Sequence, residues 1–591
     1  MFPQIALYLV EICTRHHIKQ VVLSAGSRVA PLAVAFVRHT KIQPYTFSDE
    51  RSAAFVGLGM AKNNLAKYLR QETEQLSPVV LACTSGTASY NYAPAVAEAY
   101  YQEVPMLILT ADRPPEWIDQ QDGQTLRQNG LFAPHIKASY SLPVDTTHPD
   151  AMWHAQRMIN EAIIEAKTPP YAPVHINIPF REPFYPQQNE LLPYPKQVKF
   201  FESLHTDKSL KKNEWNTLLT QFERAERVLI LVGQHELDPH LLKTLRLLQQ
   251  DYKITIIGDI VANMHEIPNL IRYADFTLLG ADEGLKNSLQ ADLMISFGQS
   301  ILSKNLKTFL RAYPARKHWH VQLAGMPVDT FKSLTLHVPV SPNYFFSQLY
   351  DDLDFKNMLD LDEEGEENEY YKLWQKADNQ AEKKFVQYTS QTNLPFADLQ
   401  VVAKLMSAIP NQATLHFANS MSVRYANYSP RIASEIVISA NRGTSGIDGC
   451  TSTALGNALA DTSRLVVLLT GDVAFFYDRN ALWHNYITPN LRVILLNNGG
   501  GNIFRLIEGP NRLPELDEYF ETKQTHNAEN TAKDAQWQYS KATNEIELEQ
   551  ALLSFFQEST NAKILEIFTN KIQNLEVWQG LKAKFSLNGL Q

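Results

Sequence analysis

Two short polar segments each begin where an apolar run ends. The first is Leu469-Thr470-Gly471-Asp472, and the second is Leu496-Asn497-Asn498-Gly499-Gly500-Gly501-Asn502. Asp472 and Asn498 lie 26 residues apart, long enough for a strand–helix–strand crossover. Such a crossover brings both side chains to one edge of one parallel sheet. A carboxylate, an amide oxygen and a backbone carbonyl from a glycine-rich turn are hard oxygen donors. They suit Mg2+, which favours octahedral oxygen ligands and shares its sphere with phosphate oxygens and water. Either turn alone is ordinary, because Gly-Asp and Asn-Gly follow many strands. The pair at this spacing points to a phosphate-bearing ligand held through a cation.

The elements that must position these residues are legible as short apolar runs. In the first region 21–23, 78–82, 106–110 and 174–178 read as buried strands, with an Ala-rich helix at 88–101. The second region offers 227–232, 254–257, 293–297, 319–323 and 334–338. The third offers 414–417, 436–439, 465–469, 493–496 and 564–568. Strands alternating with helices imply parallel sheets covered on both faces. The expected fold class is therefore α/β, with three domains, each a mainly parallel sheet flanked by helices. Prolines 183, 186, 193 and 195 mark 182–196 as a linker. The acidic run 360–369 and the helical residues up to about 389 read as an exposed linker helix. The expected divisions are 1–185, 186–355, the acidic helical linker 356–394, and 395–591.

Composition narrows the function. Lys+Arg number 54 and Asp+Glu 63, a net charge of −9, which argues against a nucleic-acid partner. A hydrophobic share of 44% excludes a disordered chain. Cys13, Cys83 and Cys450 are far apart and odd in number, so neither a disulfide framework nor a zinc site is suggested. That usage fits a reducing compartment. No apolar run reaches the ~18 residues of a membrane span. The apolar run near the N-terminus lacks the basic stretch and cleavage site of a signal peptide. A cytoplasmic location is expected. Gly57-Leu58-Gly59 sits inside a helical pattern, so it is not the phosphate turn of a dinucleotide-binding fold.

The Gly471-Asp472 and Asn498 constellation resembles the signature of thiamine-diphosphate enzymes. The resemblance implies a pyrimidine-binding domain (1–185), a middle domain (186–355) and a diphosphate-binding domain (395–591). It also implies a glutamate after the second strand of the first domain. Phe47-Ser48-Asp49-Glu50-Arg51-Ser52 supplies Glu50, at the head of an Ala/Gly-rich stretch. Hydrogen-bonded to the aminopyrimidine ring, that carboxyl favours the imino tautomer, whose nitrogen removes the thiazolium C2 proton. Asp472, Asn498 and the Gly500 carbonyl would hold Mg2+ or Mn2+. Gly471 would line the diphosphate, Ile447 would support the bent cofactor, and Ile503 and Phe504 would form an apolar wall beside it.

Further strings resemble one branch, the synthases of menaquinone biosynthesis. They are Ser24-Ala25-Gly26-Ser27-Arg28, Asp49-Glu50-Arg51-Ser52-Ala53-Ala54, Thr84-Ser85-Gly86-Thr87-Ala88, Asp112-Arg113-Pro114-Pro115-Glu116, Asn419-Ser420-Met421 and Asn441-Arg442-Gly443-Thr444-Ser445-Gly446-Ile447-Asp448-Gly449. The branch implies that 2-oxoglutarate is decarboxylated and its remaining four carbons are joined to isochorismate. Both substrates are dicarboxylates, which a planar guanidinium binds bidentately. By resemblance Ser420, Arg424 and Arg442 face the oxoglutarate side. Ser27, Arg28, Arg113 and Gln124 face isochorismate, with Lys304 adding a cation. Arg28, Gln124, Arg424 and Arg442 join Glu50 as the catalytic set. The resemblance further implies a homodimer or homotetramer with sites between subunits.

The chain departs from the branch at Ala25, Gly123, Gly499 and Asn305. These stand where Pro, Asn, a third Asn and a second cation are usual. Two other readings share the motif: another thiamine-diphosphate decarboxylase or carboligase, and a non-catalytic module built on the same fold. The strings around Arg113 and Arg442 favour the first reading over another decarboxylase or carboligase, and the presence of Glu50, Asp472 and Asn498 tells against the non-catalytic module.

Overall fold

The computed structural model describes residues 2–182, 184–187, 190–204, 206–359, 368–429 and 432–585. Most of the acidic run expected in the second linker, 360–367, and Pro183 lie outside the described residues.

Three sheets account for the architecture. The first contains β1 (Gln20–Leu23), β2 (Gln43–Thr46), β3 (Val79–Cys83), β4 (Met106–Asp112), β5 (Ser139–Ser141) and β6 (Val174–Pro179), in spatial order β2-β1-β3-β4-β6-β5. The second contains β7 (Val228–Val232), β8 (Thr255–Gly258), β9 (Leu293–Phe297), β10 (Lys317–Val321) and β11 (Leu336–Val338), in order β11-β10-β9-β7-β8. The third contains β12 (Thr414–Phe417), β13 (Val437–Ala440), β14 (Val466–Gly471), β15 (Leu491–Asn497), β16 (Gln538–Ala542) and β17 (Lys563–Phe568), in order β13-β12-β14-β15-β17-β16. Every pairing within them is parallel. The expected α/β class with three helix-flanked parallel sheets is therefore what the chain adopts. Strand for strand, the first and third sheets share one order. In each, the chain reverses direction across the sheet beside its first strand, and ligands in open α/β sheets bind outside such reversal points.

Three strands escaped the sequence reading: β2, β5 and β16. All lie at sheet edges and are largely half-buried or exposed, so they carry no apolar run. The helix expected at 88–101 is two helices, Thr87–Asn91 and Ala93–Tyr101. Pro94 stands in the first turn of the second, where its missing N–H costs nothing, but it cannot continue the first. The helix Glu369–Thr389 is docked rather than exposed. It buries Tyr370, Trp374 and Phe385, and the buried Asp378 accepts from the backbone N–H of Arg272 and Tyr273 at 3.1 and 2.7 Å.

The helix Glu50–Leu69 is the central element. Asp49 caps it, accepting from Arg51 and Ser52 N–H at 2.9 and 3.2 Å. Its small residues, among them Ala53, Ala54 and Gly59, are fully or nearly buried. They let it cross the Cys450–Ala460 helix of the third sheet with backbones in contact. A Cβ at Gly59 would stand 2.0 Å from the Thr453 carbonyl oxygen, and one at Gly456 2.0 Å from that of Val56. Only glycine fits on both sides of the crossing. Gly456→Ala is therefore expected to destabilise the protein by about 3 kcal/mol, as overpacking against a backbone that cannot yield. The denaturation midpoint measures this; an unchanged midpoint would mean the helices can separate freely.

Candidate active site

The turn after β14 places Asp472, and the turn after β15 places Asn498. Gly471 of β14 pairs with Leu496 of β15, so the two side chains leave the sheet at the same level. Asp472 is buried. Its Oδ1 accepts from Val473 N–H at 2.8 Å, and its Oδ2 from Gly500 N–H at 2.8 Å and Gln524 Nε2 at 2.7 Å. Burial pushes its carboxyl up to about 6 against the pull of those hydrogen bonds, and the nearby Asp398 carboxylate adds to the rise. Gly500 has φ +150°, and a Cβ there would meet the Glu521 carbonyl oxygen at 2.6 Å. The turn can therefore close only on glycine.

The amide of Asn498 is asymmetric in its surroundings. Nδ2 donates to Asp398 Oδ2 at 2.9 Å, while Oδ1 is buried with no hydrogen-bond partner. Both amide atoms of the buried Asn502 also lack partners. Buried polar atoms without partners are rare and costly, and they mark places where a ligand completes the set. An orphaned amide oxygen beside a carboxylate that burial makes reluctant to ionise fits a hard divalent cation. Among the described residues no group of three or more His, Cys, Asp or Glu is arranged to hold a metal. A cation here would depend on amide and carbonyl oxygens.

Glu50 begins its helix half-buried, and no hydrogen bond or ion pair reaches its carboxylate among the described residues. It lies near Cys83 and Tyr92 at the end of β3. Burial pushes the Cys83 thiol and the Tyr92 phenol up, so both are held un-ionised, and the Glu50 charge adds to each rise. Its neighbours tie the helix start to the third sheet. Asp49 Oδ2 accepts from Asn480 Nδ2 at 2.7 Å, and Arg51 Nη2 donates to the Tyr477 carbonyl at 2.7 Å. Ile447 packs against Ala418, Cys450 and Ala474. Ile503 packs against the third-sheet core, and the Phe504 ring lies 5.7 Å from that of Phe520.

The arginines fall into two clusters. Arg28 follows β1, buried, with Nη1 donating to the Phe180 carbonyl at 2.8 Å and its guanidinium 4.4 Å from the Phe184 ring centre. Burial lowers its ionisation, and the like charge of Arg113 lowers it further. Arg113, after β4, pairs with Asp122 at 3.0 Å and donates to the Gly123 carbonyl at 2.8 Å; its Nε is buried and unpartnered. Gly123 thus serves through its backbone, and Asp122 takes up part of the arginine. Gln124 is exposed in the same loop at φ +57°, and Ser27 is exposed beside Arg28.

The second cluster follows β12 and β13. Arg424 Nη1 donates to the Ser420 carbonyl at 2.5 Å, and Arg442 Nη1 to Asn419 Oδ1 at 2.9 Å, leaving Arg442 Nε without a partner. Ser420 sits at φ +76°, a conformation costing about 1–3 kcal/mol that persists only where its surroundings enforce it. Burial lowers the ionisation of both arginines, and Arg424 further lowers that of Arg442. Lys304 is exposed at the start of its helix, Lys304–Ala312. One turn on, the half-buried Lys307 has its ionisation lowered by burial first. Asp259 opposes this, while Arg442, Arg311 and Arg424 add to it. Lys307 thus feels the charges of Arg311 in its own helix and of Arg442 and Arg424 in the third region. Asn305, which stands where the branch usually has a second cation, donates through Nδ2 to the Asp275 carbonyl at 3.0 Å.

Several residues around the site have no local sequence signal. Glu98, buried in the Ala93–Tyr101 helix, accepts from Gly443 N–H at 2.8 Å, Thr444 N–H at 2.6 Å, the Thr444 hydroxyl at 2.5 Å and Gln102 Nε2 at 2.6 Å. It holds the loop that carries Arg442 and Ile447. The buried Lys62 donates to Gln102 Oε1 at 2.7 Å and to the Ala440 carbonyl at 2.9 Å, and Gln234 of the middle domain donates to Gln102 Oε1 at 3.0 Å. All three domains therefore meet behind Arg442. The one hint in the sequence is a lone carboxylate in an otherwise apolar helix. Glu98→Ala strands three loop donors and is expected to cost about 1–3 kcal/mol, with Glu98→Gln, which keeps an acceptor, costing less. Denaturation midpoints check the order; no loss in Glu98→Ala would mean that packing alone holds the loop.

Residues 4–131 match the family described as thiamine pyrophosphate enzyme, N-terminal TPP binding domain, and residues 194–417 match the middle domain of thiamine pyrophosphate. Thiamine pyrophosphate is thiamine diphosphate under another name. Relatives include a protein of Cytophaga hutchinsonii, 43% identical over 573 residues and covering 97% of each chain. A Flavobacterium johnsoniae protein is 35% identical over 580 residues, covering 97% of this chain and 98% of its own. One from Porphyromonas gingivalis is 37% identical over 569 residues, covering 96% and 94%. All three are named 2-succinyl-5-enolpyruvyl-6-hydroxy-3-cyclohexene-1-carboxylate synthase. Similar to them over nearly its whole length, and carrying the thiamine-binding domain in its first region, the chain belongs to the 2-succinyl-5-enolpyruvyl-6-hydroxy-3-cyclohexene-1-carboxylate synthase family of thiamine-diphosphate-dependent enzymes.

Proposed function

We propose that the chain decarboxylates 2-oxoglutarate and joins the remaining succinyl-semialdehyde unit to isochorismate. The products are 2-succinyl-5-enolpyruvyl-6-hydroxy-3-cyclohexene-1-carboxylate and CO2. The observation that carries this reading is the pair of arginine clusters, each with a buried guanidinium Nε awaiting an acceptor. Two substrates with two carboxylates each need that many fixed cations. A decarboxylase acting on a simple monocarboxylic 2-oxo acid does not.

Thiamine diphosphate, when bound, supplies the electron sink for the pair released as CO2 departs. Asp472, Asn498 Oδ1 and the Gly500 carbonyl hold Mg2+ or Mn2+ for its diphosphate, with Gly471 beside them. Ile447 would support the bent cofactor, and Ile503 and Phe504 would form an apolar wall beside its reactive carbon. Glu50 would hold a proton at the pyrimidine ring nitrogen, a role suited to a carboxylate that no hydrogen bond or ion pair occupies among the described residues.

Ser420, Arg424 and Arg442 bind and orient 2-oxoglutarate, with Arg424 and Arg442 fixing its carboxylates against rotation. Lys307 strengthens that side, and Lys304 reaches it from the surface. Ser27, Arg28, Arg113 and Gln124 orient isochorismate. By resemblance to the family, the complete site is assigned to two subunits of a homodimer, alone or paired as a tetramer, with Glu50 from one and the Asp472 turn from the other. The location proposed is cytoplasmic. No helix among the described residues is long and apolar enough to cross a membrane.

The test mixes the protein with Mg2+, thiamine diphosphate, 2-oxoglutarate and isochorismate and follows isochorismate loss by absorbance. Decarboxylation of pyruvate without isochorismate loss would overturn the reading. Glu50→Gln is expected to bind cofactor normally while kcat falls about 10²–10⁴-fold, the usual worth of a positioned proton-transfer group. Full turnover in that variant would remove Glu50 from the mechanism.

A further inference from the structure

Asp398 is a buried carboxylate that the residues assigned so far do not explain. It opens the Asp398–Ala408 helix at 1% exposure. It is not a helix cap, because the capping position is Ala397 and no side chain bonds the first turn. Among the described residues no Lys, Arg or His is paired with it. Its bonds run to the metal turn and to the strand beyond. Oδ1 accepts from the Thr569 hydroxyl at 2.6 Å, and Oδ2 from Asn498 Nδ2 at 2.9 Å. Its own N–H donates to Asn574 Oδ1 at 2.9 Å. Thr569 directly follows β17, and its N–H donates to the Asn497 carbonyl at 3.1 Å, so it is held to the metal turn as well.

A primary amide has two unlike ends. The oxygen can ligate a cation, whereas the NH2 end presents hydrogens to it. At 498 the amide could turn either way about its terminal torsion, which is soft. A carboxylate only accepts, so the Asp398 oxygen selects the NH2 end of Asn498 and turns the other end away. The end turned away is the Oδ1 that lies buried without a partner. A buried carboxylate without a counter-charge is costly, which makes it a poor choice for stability alone.

We propose that Asp398 is a positioning residue: its carboxylate fixes the Asn498 amide with Oδ1 toward the metal position, and Thr569 holds Asp398 in place. This rests on Asp472, Asn498 and Gly500 being the metal-holding set.

The test reads Mn2+ uptake by electron paramagnetic resonance, and thiamine diphosphate uptake by intrinsic fluorescence, as metal is titrated into the metal-free protein. Asp398→Leu removes the selecting oxygen and is expected to raise the half-saturating metal concentration about tenfold. A carboxylate at 498 presents an oxygen whichever way it turns. Asp398→Leu combined with Asn498→Asp should therefore return to within about threefold of the unmodified protein, a rescue that a merely structural role would not give. Near-UV circular dichroism checks folding. Should Asp398→Leu fail to fold, Asp398→Asn with Asn498→Asp exchanges the two groups and should bind within the same threefold range.

An unchanged half-saturation in folded Asp398→Leu, or no recovery in the paired variant, overturns the proposal. Asp472→Ala separates the two levels. Loss of metal-dependent uptake there, with Asp398→Leu neutral, removes only the positioning role. Retained uptake in Asp472→Ala removes the metal assignment and the positioning role with it.

Discussion

Where the Glu50–Leu69 helix crosses Cys450–Ala460, two backbones touch through Gly59 and Gly456, and both ends of the chemistry hang from that contact. One helix starts at Glu50. The other starts just after the loop bearing Arg442 and Ile447. At its head, a Cβ on Gly449 would fall 2.1 Å from the Phe55 ring, so the approach stays close along the whole crossing. Side chains of ordinary size would push the helices apart by several ångströms and carry the two loops with them. Glu98, Lys62 and Gln102 then complete with hydrogen bonds what the glycines allow by their absence of bulk. Packing sets the distance and buried polar groups set the register.

The site is also a collection of unfilled valences. Asn498 Oδ1, both ends of the Asn502 amide, Arg113 Nε and Arg442 Nε are all buried without partners. Folding left each of them at a cost, and all five lie on loops that follow parallel strands. Arg28 and Arg113 repel one another, as do Arg424 and Arg442, and burial sharpens both repulsions. Ligands of opposite sign would relieve the two places: negative charge at the arginines, and a cation at Asp472. A net charge of −9 does not describe such a surface, because local fields and not the sum decide what a cleft attracts.

The α/β plan of three sheets was legible from apolar runs, since a strand buried on both faces needs an unbroken run of apolar residues. Edge strands β2, β5 and β16 were not, because a strand half open to water needs no such run. Asp472 and Asn498 were read from the turns that follow apolar strands, whereas Glu50 came only from the resemblance, because β2 before it carries no apolar run. Lys304 was read from its place in a string, whereas Lys307, one turn on in the same helix, is the lysine that feels the charges of Arg424 and Arg442.

What the sequence determined by itself was local: strand cores, the residue types at their ends, and the spacing that puts Asp472 and Asn498 on one sheet edge. What only the tertiary structure decided were partnerships between residues remote along the chain. Asp398 meets Asn498 across 100 positions, and Glu98 meets Thr444 across 346. Periodicity reports which face of an element is buried but not which element covers it. The orientation of one amide, or the hold on one loop, comes from a neighbour that arrives only when the sheets have packed.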